Sequence, residues 1–308
     1  MKDYIQNEPL SKHTTLGIGG PAKFFVEAES EEELMDIVKK VLQEKTPFIV
    51  IGEGSNLLVS DEGYQGLIVK NKLKGISEKD GLVSVKAGNS LQELVDFTIA
   101  KGFAGMQKMT GIPGTVGGAV YGNAGAYGQT ISDHLAGVTT LSGYWPKEKC
   151  EFSYRESVFK KNKEIILEVK FDLPKGNREM LIAKSSEIRE LRKKKYPLDM
   201  KCPGSFFMNL WFDKLPEDVQ KQIPEEKIKG GKVAAGYLLE QIGAKGRKLG
   251  GAAVADYHGN LIYNAGGAKP GEIWELAKQL QRQVEVKFGV VLVPEVQLVG
   301  QFLQSLDK

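Results

Sequence analysis

Residues 111–128 read GIPGTVGGAVYGNAGAYG, and residues 52–61 read GEGSNLLVSD. The first stretch is dense in glycine yet otherwise apolar, whereas a flexible linker would be rich in serine and charge. Glycine tolerates positive φ and lets backbone come close to a ligand. An apolar, glycine-rich stretch inside a domain therefore suggests backbone pressed against a flat ligand, with a tightly packed loop between sheets as the plainer alternative. Its glycine content predicts no regular element over 105–128. In the second stretch the apolar run PFIVI at 47–51 reads as a buried strand and delivers the chain into Gly52-Glu53-Gly54-Ser55-Asn56. Amides of such a turn can point outward together and bind an anion; an ordinary tight turn is the alternative. The turn is not a Rossmann fingerprint, because G-x-G-x-x-G spacing is absent and no helix is expected next, and it is not a P-loop, because no Gly-Lys-Ser/Thr occurs.

Outward from these stretches, residues 30–45 predict a helix capped by Ser30, with Glu33 at the capping-box position and Leu34, Ile37, Val38, Val41 and Leu42 at helical spacing. Residues 67–70 and 82–88 read as strands, and 90–102 as a helix capped by Ser90 and Glu93 and stopped by Gly102. Residues 138–172 read as further strands, and 176–195 as a charged amphipathic helix. The last third holds a turn at CPGSFF, a polar insertion at 213–230 and a helix at 233–243. Two strands around a His258–Gly259 turn follow, then a helix at 270–289 and a closing strand at 290–300. Helices and strands mix without βαβ regularity, so the fold class is α+β.

Composition narrows the function. With 42 basic and 39 acidic residues the net charge is +3, which gives no electrostatic case for a nucleic-acid partner or membrane surface. Two cysteines make no disulfide framework, no spacing suggests a metal, and a reducing compartment is expected. The N-terminus MKDYIQNEPLSKH lacks an apolar core, so no signal peptide is expected, and no apolar run is long enough for membrane insertion.

GEGSNLLVSD followed about fifty residues later by GIPGTVGGAVYGNAGAYG resembles the UDP-N-acetylenolpyruvoylglucosamine reductase family, flavoproteins related to vanillyl-alcohol oxidase. TTLGIGGPA at 14–22, SYRESVF at 153–159, GSFFMN at 204–209, AAGYLLEQIGAKGRKLGGAAV at 234–254 and VPEVQLVG at 293–300 resemble further family segments, in the same order. The resemblance implies a two-part FAD-binding domain of the PCMH/vanillyl-alcohol-oxidase type, with subdomains 1–70 and 71–185, and a smaller C-terminal α+β substrate domain, 186–300. It implies non-covalent FAD held by Gly52, Gly54, Ser55, Asn56, Leu57, Gly111, Ile112, Pro113, Gly114, Gly117, Gly118, Ala119, Asn123 and Gly128, because none of the three histidines matches an attachment position.

The implied reaction uses NADPH as co-substrate and reduces the enolpyruvyl double bond of a UDP-sugar to a lactyl ether, in bacterial peptidoglycan precursor synthesis. By resemblance Arg155 grips the substrate carboxylate, Ser205 donates a proton to the carbanionic carbon and Glu295 assists; Tyr154, Lys195 and Asn209 contact the substrate. On residue chemistry alone each has a bland alternative: a surface arginine, a turn serine, an edge-strand glutamate beside Pro294, the basic end of a helix. The 50 positions from Arg155 to Ser205 resemble the family's shorter form, so no lid tyrosine is assigned. The sequence departs from the family at Met208, where lysine is common, at Gly122 and Tyr237, and in the insertion after Asn209. A cytoplasmic monomer is expected. The competing readings are an oxidase of the same superfamily and a nucleotide-retaining homologue without turnover.

Overall fold

A computed structural model of the chain describes residues 4–197 and 199–302. The chain divides into two compact units: residues 1–6, 24–53 and 66–198, and residues 7–23, 54–65 and 199–308.

In the first unit, helix α1 (Glu31–Gln43) starts where Ser30 accepts the Glu33 N–H, and its stripe of Leu34, Ile37, Val38 and Val41 is buried with Val26, Leu67 and Val69. Strand Phe48–Ile51 pairs in parallel with residues 67–70, with Ile51 opposite Lys70. A five-stranded antiparallel sheet runs in the order Gly143–Pro146, Leu135–Thr140, Ile166–Asp172, Leu82–Lys86, Ile76–Lys79. Its Val83, Val85, Val138, Val169 and Phe171 share a buried core with Leu91, Leu94 and Val95 of helix α2 (Leu91–Ala100) and Val116 and Val120 of helix α3 (Val116–Tyr121). Short helix α4 (Val158–Asn162) and long helix α5 (Arg178–Lys195) complete the unit.

Two expectations are corrected here. Residues 105–128 do contain a helix, α3: Thr115 caps it by accepting the Gly118 N–H, and Val116, Ala119 and Val120 are buried, so tertiary packing overrides the weak helix propensity of glycine. Residues 138–172 are not all strand, because α4 interrupts them.

In the second unit, helix α8 (Pro270–Phe288), ended by Gly289 at φ +63, packs Ile273, Leu276, Ala277, Leu280 and Val284 against Leu238 and Leu239 of helix α7 (Ala235–Gln241) and against Ala252, Val254 and Ile262 of an antiparallel hairpin. The 213–230 insertion carries helix α6 (Glu217–Gln220) and supplies Leu215, Val219 and Ile223 to the same core, so it is less polar in effect than its sequence suggests. The expected closing strand at 290–300 shrinks to Gln297–Val299, which pairs in parallel with Leu57–Val59. Pro294 has no N–H to donate, and only the isolated bridge Phe207↔Pro294 forms before it, so Glu295 lies outside any strand.

Candidate active site

In the first unit Gly52 follows the Phe48–Ile51 strand, and a Cβ there would stand 2.3 Å from Thr115 Oγ1. The apolar glycine loop is stitched to the start of α2: Leu91 N–H donates to Gly114 O, Val116 N–H to Asn89 O and Gly117 N–H to Ala87 O, each at 2.9 Å. Gly111 is held from both sides, its N–H donating to Gln92 Oε1 at 2.8 Å and its carbonyl accepting from Arg192 Nε at 2.9 Å. Within this loop Gly111, Pro113 and Gly118 are exposed, Ile112, Gly114 and Gly117 half-buried, and Ala119 buried. Burial opposes ionisation of Glu93 in the α2 capping box. Donors at Lys74, the Ser90 N–H and Asn89 outweigh it and hold the carboxyl at about 2.

Asn123 is buried at φ +41; its Nδ2 donates to Ser153 O at 2.7 Å, while its Oδ1 is buried with no hydrogen-bond partner among the described residues. Tyr127 and Gly128, at φ +53 and +75, turn the exposed end of the loop. Tyr154 and Arg155 occupy the tight turn Ser153–Glu156, with Arg155 at φ +58. Arg155 Nη2 donates to Gly125 O at 3.0 Å, which places the guanidinium against the end of the glycine loop, 5.4 Å from the Tyr154 ring centroid. A non-glycine residue at positive φ is strained, and such strain gathers at functional sites. Lys195 ends α5, its Nζ 5.3 Å from the Tyr196 ring centroid.

The second unit brings together Gly54–Leu57, Ser205 and Glu295. Gly54 sits at φ +63, where a Cβ would come within 2.0 Å of the His13 carbonyl. Asn56 Nδ2 donates to Glu295 O at 2.9 Å, and Gln297 N–H to Asn56 O at 2.9 Å. Glu295 N–H donates to Phe206 O at 2.8 Å, so the residue after Ser205 is bonded to Glu295. Gly204 turns the chain into Ser205 at φ +90, and Ser205 and Glu295 are both half-buried. Buried Asn260 then fixes the two phenylalanines: its carbonyl accepts Phe206 N–H at 3.0 Å, its Oδ1 accepts Phe207 N–H at 2.8 Å and its Nδ2 donates to Phe207 O at 2.8 Å. Asn209 is exposed, with its Oδ1 accepting Ala235 N–H at 3.3 Å at the start of α7. The sequence reading missed Asn260, Gln92 and Arg192; isolated amides and a helix-end arginine carry no spacing that marks them as supports.

A buried amide oxygen at Asn123 has no hydrogen-bond partner among the described residues, which leaves it for a group the chain does not itself supply; at Gly52 and Gly54 the places of the Cβ atoms are taken by Thr115 and by the His13 carbonyl, so close packing holds both turns. Residues 22–143 match the family described as FAD binding domain, which makes the chain an FAD-dependent oxidoreductase. Residues 196–299 match the C-terminal domain of UDP-N-acetylenolpyruvoylglucosamine reductase. Curated reductases of that name from Solibacter usitatus and Carboxydothermus hydrogenoformans are 41% and 37% identical, with alignments covering 95% of both chains in the first case and 96% and 94% in the second. The crystal structure of the reductase from Thermus caldophilus matches with a TM-score of 0.77 at 28% identity, over 97% of this chain and 98% of that one. The chain belongs to the UDP-N-acetylenolpyruvoylglucosamine reductase family. Among the described residues no helix is long and apolar enough to cross a membrane.

Proposed function

We propose that the chain reduces UDP-N-acetylglucosamine enolpyruvate to UDP-N-acetylmuramate with NADPH, and that Arg155, Ser205 and Glu295 carry the chemistry. The observation that supports this most is the hydrogen-bonded bed of the second unit. Asn56 bonds to the Glu295 carbonyl, and the Glu295 N–H bonds to the residue after Ser205, so the candidate cofactor turn and the backbone of the candidate carboxylate and proton donor share one hydrogen-bonded support.

FAD, when bound, supplies the hydride chemistry between NADPH and the enolpyruvyl methylene. Gly52, Gly54–Leu57, the loop from Gly111 to Ala119, Asn123 and Gly128 would hold it without a covalent bond. The unpartnered Asn123 Oδ1 is a ready acceptor for a cofactor N–H or O–H. Arg155 offers a permanently charged fork to the substrate carboxylate, where negative charge spreads as the double bond is reduced. Its Nη2 bond to Gly125 O ties the group to the end of the glycine loop. Ser205 Oγ–H donates the proton that the adjacent carbon needs. A free hydroxyl is a poor acid, so Glu295 is assigned to support its proton transfer. Tyr154, Lys195 and Asn209 are assigned to the substrate, the last two at its phosphates. We further place the chain as a monomer in the cytoplasm of a bacterium, a reducing setting that suits the thiols Cys150 and Cys202.

Stopped-flow measurement of the two half-reactions of Ser205→Ala tests the assignment. Flavin reduction by NADPH is expected within about threefold of the wild type, while reoxidation by the enolpyruvyl substrate falls by roughly 10³-fold or more. Equal losses in both half-reactions would remove Ser205 from the role of proton donor.

A further inference from the structure

The segment 14–22, TTLGIGGPA, is assigned no role in the site described above, yet one of its side chains reaches two elements of the second unit's site. Thr15 Oγ1 lies 2.8 Å from the Cys202 carbonyl and 3.3 Å from the Ser55 carbonyl, and Thr15 N–H donates to Gly54 O at 3.4 Å. Gly54 and Ser55 form the turn assigned to the cofactor. Cys202 opens the turn through Gly204 that presents Ser205. We propose that Thr15 is a positioning residue that fixes the Ser205 turn relative to the Gly54–Asn56 turn, and so governs proton delivery to the substrate without touching it. The proposal rests on the reading of Ser205 given above.

The segment is built to hold a hydroxyl still. Thr14 Oγ1 donates to Ile18 O at 2.9 Å, Gly17 N–H donates to Thr14 O at 3.1 Å, and Leu16 and Ile18 are buried in the unit's core. The backbone on one side is seated directly on the turn, since the His13 carbonyl fills the place of a Gly54 Cβ. A second strut runs in parallel: Asn264 Nδ2 donates to Leu16 O at 3.1 Å and Asn264 N–H to Lys201 O at 2.9 Å. The hydroxyl carries one hydrogen, and the shorter contact gives it to Cys202; the longer contact to Ser55 shares it. Valine at position 15 keeps the shape and removes that hydrogen. The Asn264 strut, the Thr15 N–H bond to Gly54 and the Asn56–Glu295–Phe206 bonds then still hold the fold, but the hydroxyl's own tie between the two turns is lost. A displacement of about 1 Å at a reacting group slows a step by roughly 10²-fold, and it does so only in the step that uses that group.

The experiment compares Thr15→Val and Thr15→Ser with the wild type in three readings: FAD affinity by fluorescence quenching, flavin reduction by NADPH, and flavin reoxidation by UDP-N-acetylglucosamine enolpyruvate. Thr15→Val is expected to bind FAD about 3- to 10-fold more weakly and to be reduced by NADPH within about threefold. Its reoxidation is expected to slow by about 10- to 100-fold, and Thr15→Ser restores all three readings to within about threefold. Thr15→Ala replaces Thr15→Val in the same comparison if the valine variant does not fold. Unchanged FAD affinity with unchanged reoxidation overturns the proposal, as do equal losses in both half-reactions or a serine variant that rescues nothing. If the wild type itself is not reoxidised by this substrate, the functional reading fails. The tie is then judged on FAD affinity alone: a Thr15→Val defect that Thr15→Ser rescues upholds it, and affinity within twofold of the wild type refutes it.

Discussion

Gly54 sits at φ +63, where a side chain is strained, and the His13 carbonyl 2.0 Å from the place of a Cβ leaves no room for one. Gly54→Ala therefore strains the backbone and pushes the turn off its neighbour. We expect a loss of about 2–4 kcal/mol in stability and a purified protein depleted of flavin, measured by urea unfolding and the absorbance ratio at the flavin and protein bands. Wild-type flavin content and stability would show that the turn adapts. The glycines were legible in the sequence because their chemistry is in the backbone. Asn260 and Thr15 were not, because an amide or hydroxyl declares its role only through the partner it meets in space. Arg155 lies between: its type suits a carboxylate, but its positive φ and its bond to Gly125 belong to the folded chain.

At the scale of elements, helix α1 was readable from its cap and apolar stripe, α2 from Ser90, Glu93 and Gly102, and α8 from Pro270 near its start and Gly289 at its end, and their ends fall within a few residues of expectation. α3 was not readable, since four buried or capping side chains outweigh its glycines only once the sheet lies beneath them. The closing strand was overread because apolar β-branched residues satisfy a strand pattern whether or not a partner strand exists, and Val291 and Val293 are about half exposed. The α2 capping box supports the glycine loop and makes a pH prediction. The Glu93 carboxyl is held at about 2, below its usual 4.5, so the unfolded chain binds more protons than the folded one as pH falls between these values. Its contribution is complete above the usual value and is lost as pH drops through about 2. The side chain is half exposed, so solvent screening limits the effect. Glu93→Gln should cost about 0.5–1 kcal/mol near neutral pH, with the difference from wild type shrinking towards about pH 2 in chemical unfolding curves. A pH-independent difference would mean that the charge of Glu93 contributes nothing.

For the whole molecule, FAD adds stability by mass action. At about 100 times its dissociation constant it should contribute roughly 2.7 kcal/mol, read as a rise of about 4–6 °C in Tm. A melting curve indifferent to FAD would contradict the cofactor assignment. The family was legible in the sequence because its motifs are backbone-bound glycine turns kept in order along the chain. What each unit does with them depends on hydrogen bonds between residues more than 200 positions apart, such as Asn56 to Glu295, which no local pattern encodes. The central claim, an FAD enzyme that passes electrons from NADPH to an enolpyruvyl ether, is tested most directly by one anaerobic visible spectrum of the purified protein. The flavin band should bleach when NADPH is added and return when UDP-N-acetylglucosamine enolpyruvate follows. A band that bleaches with NADPH and returns only on admission of air would contradict the account.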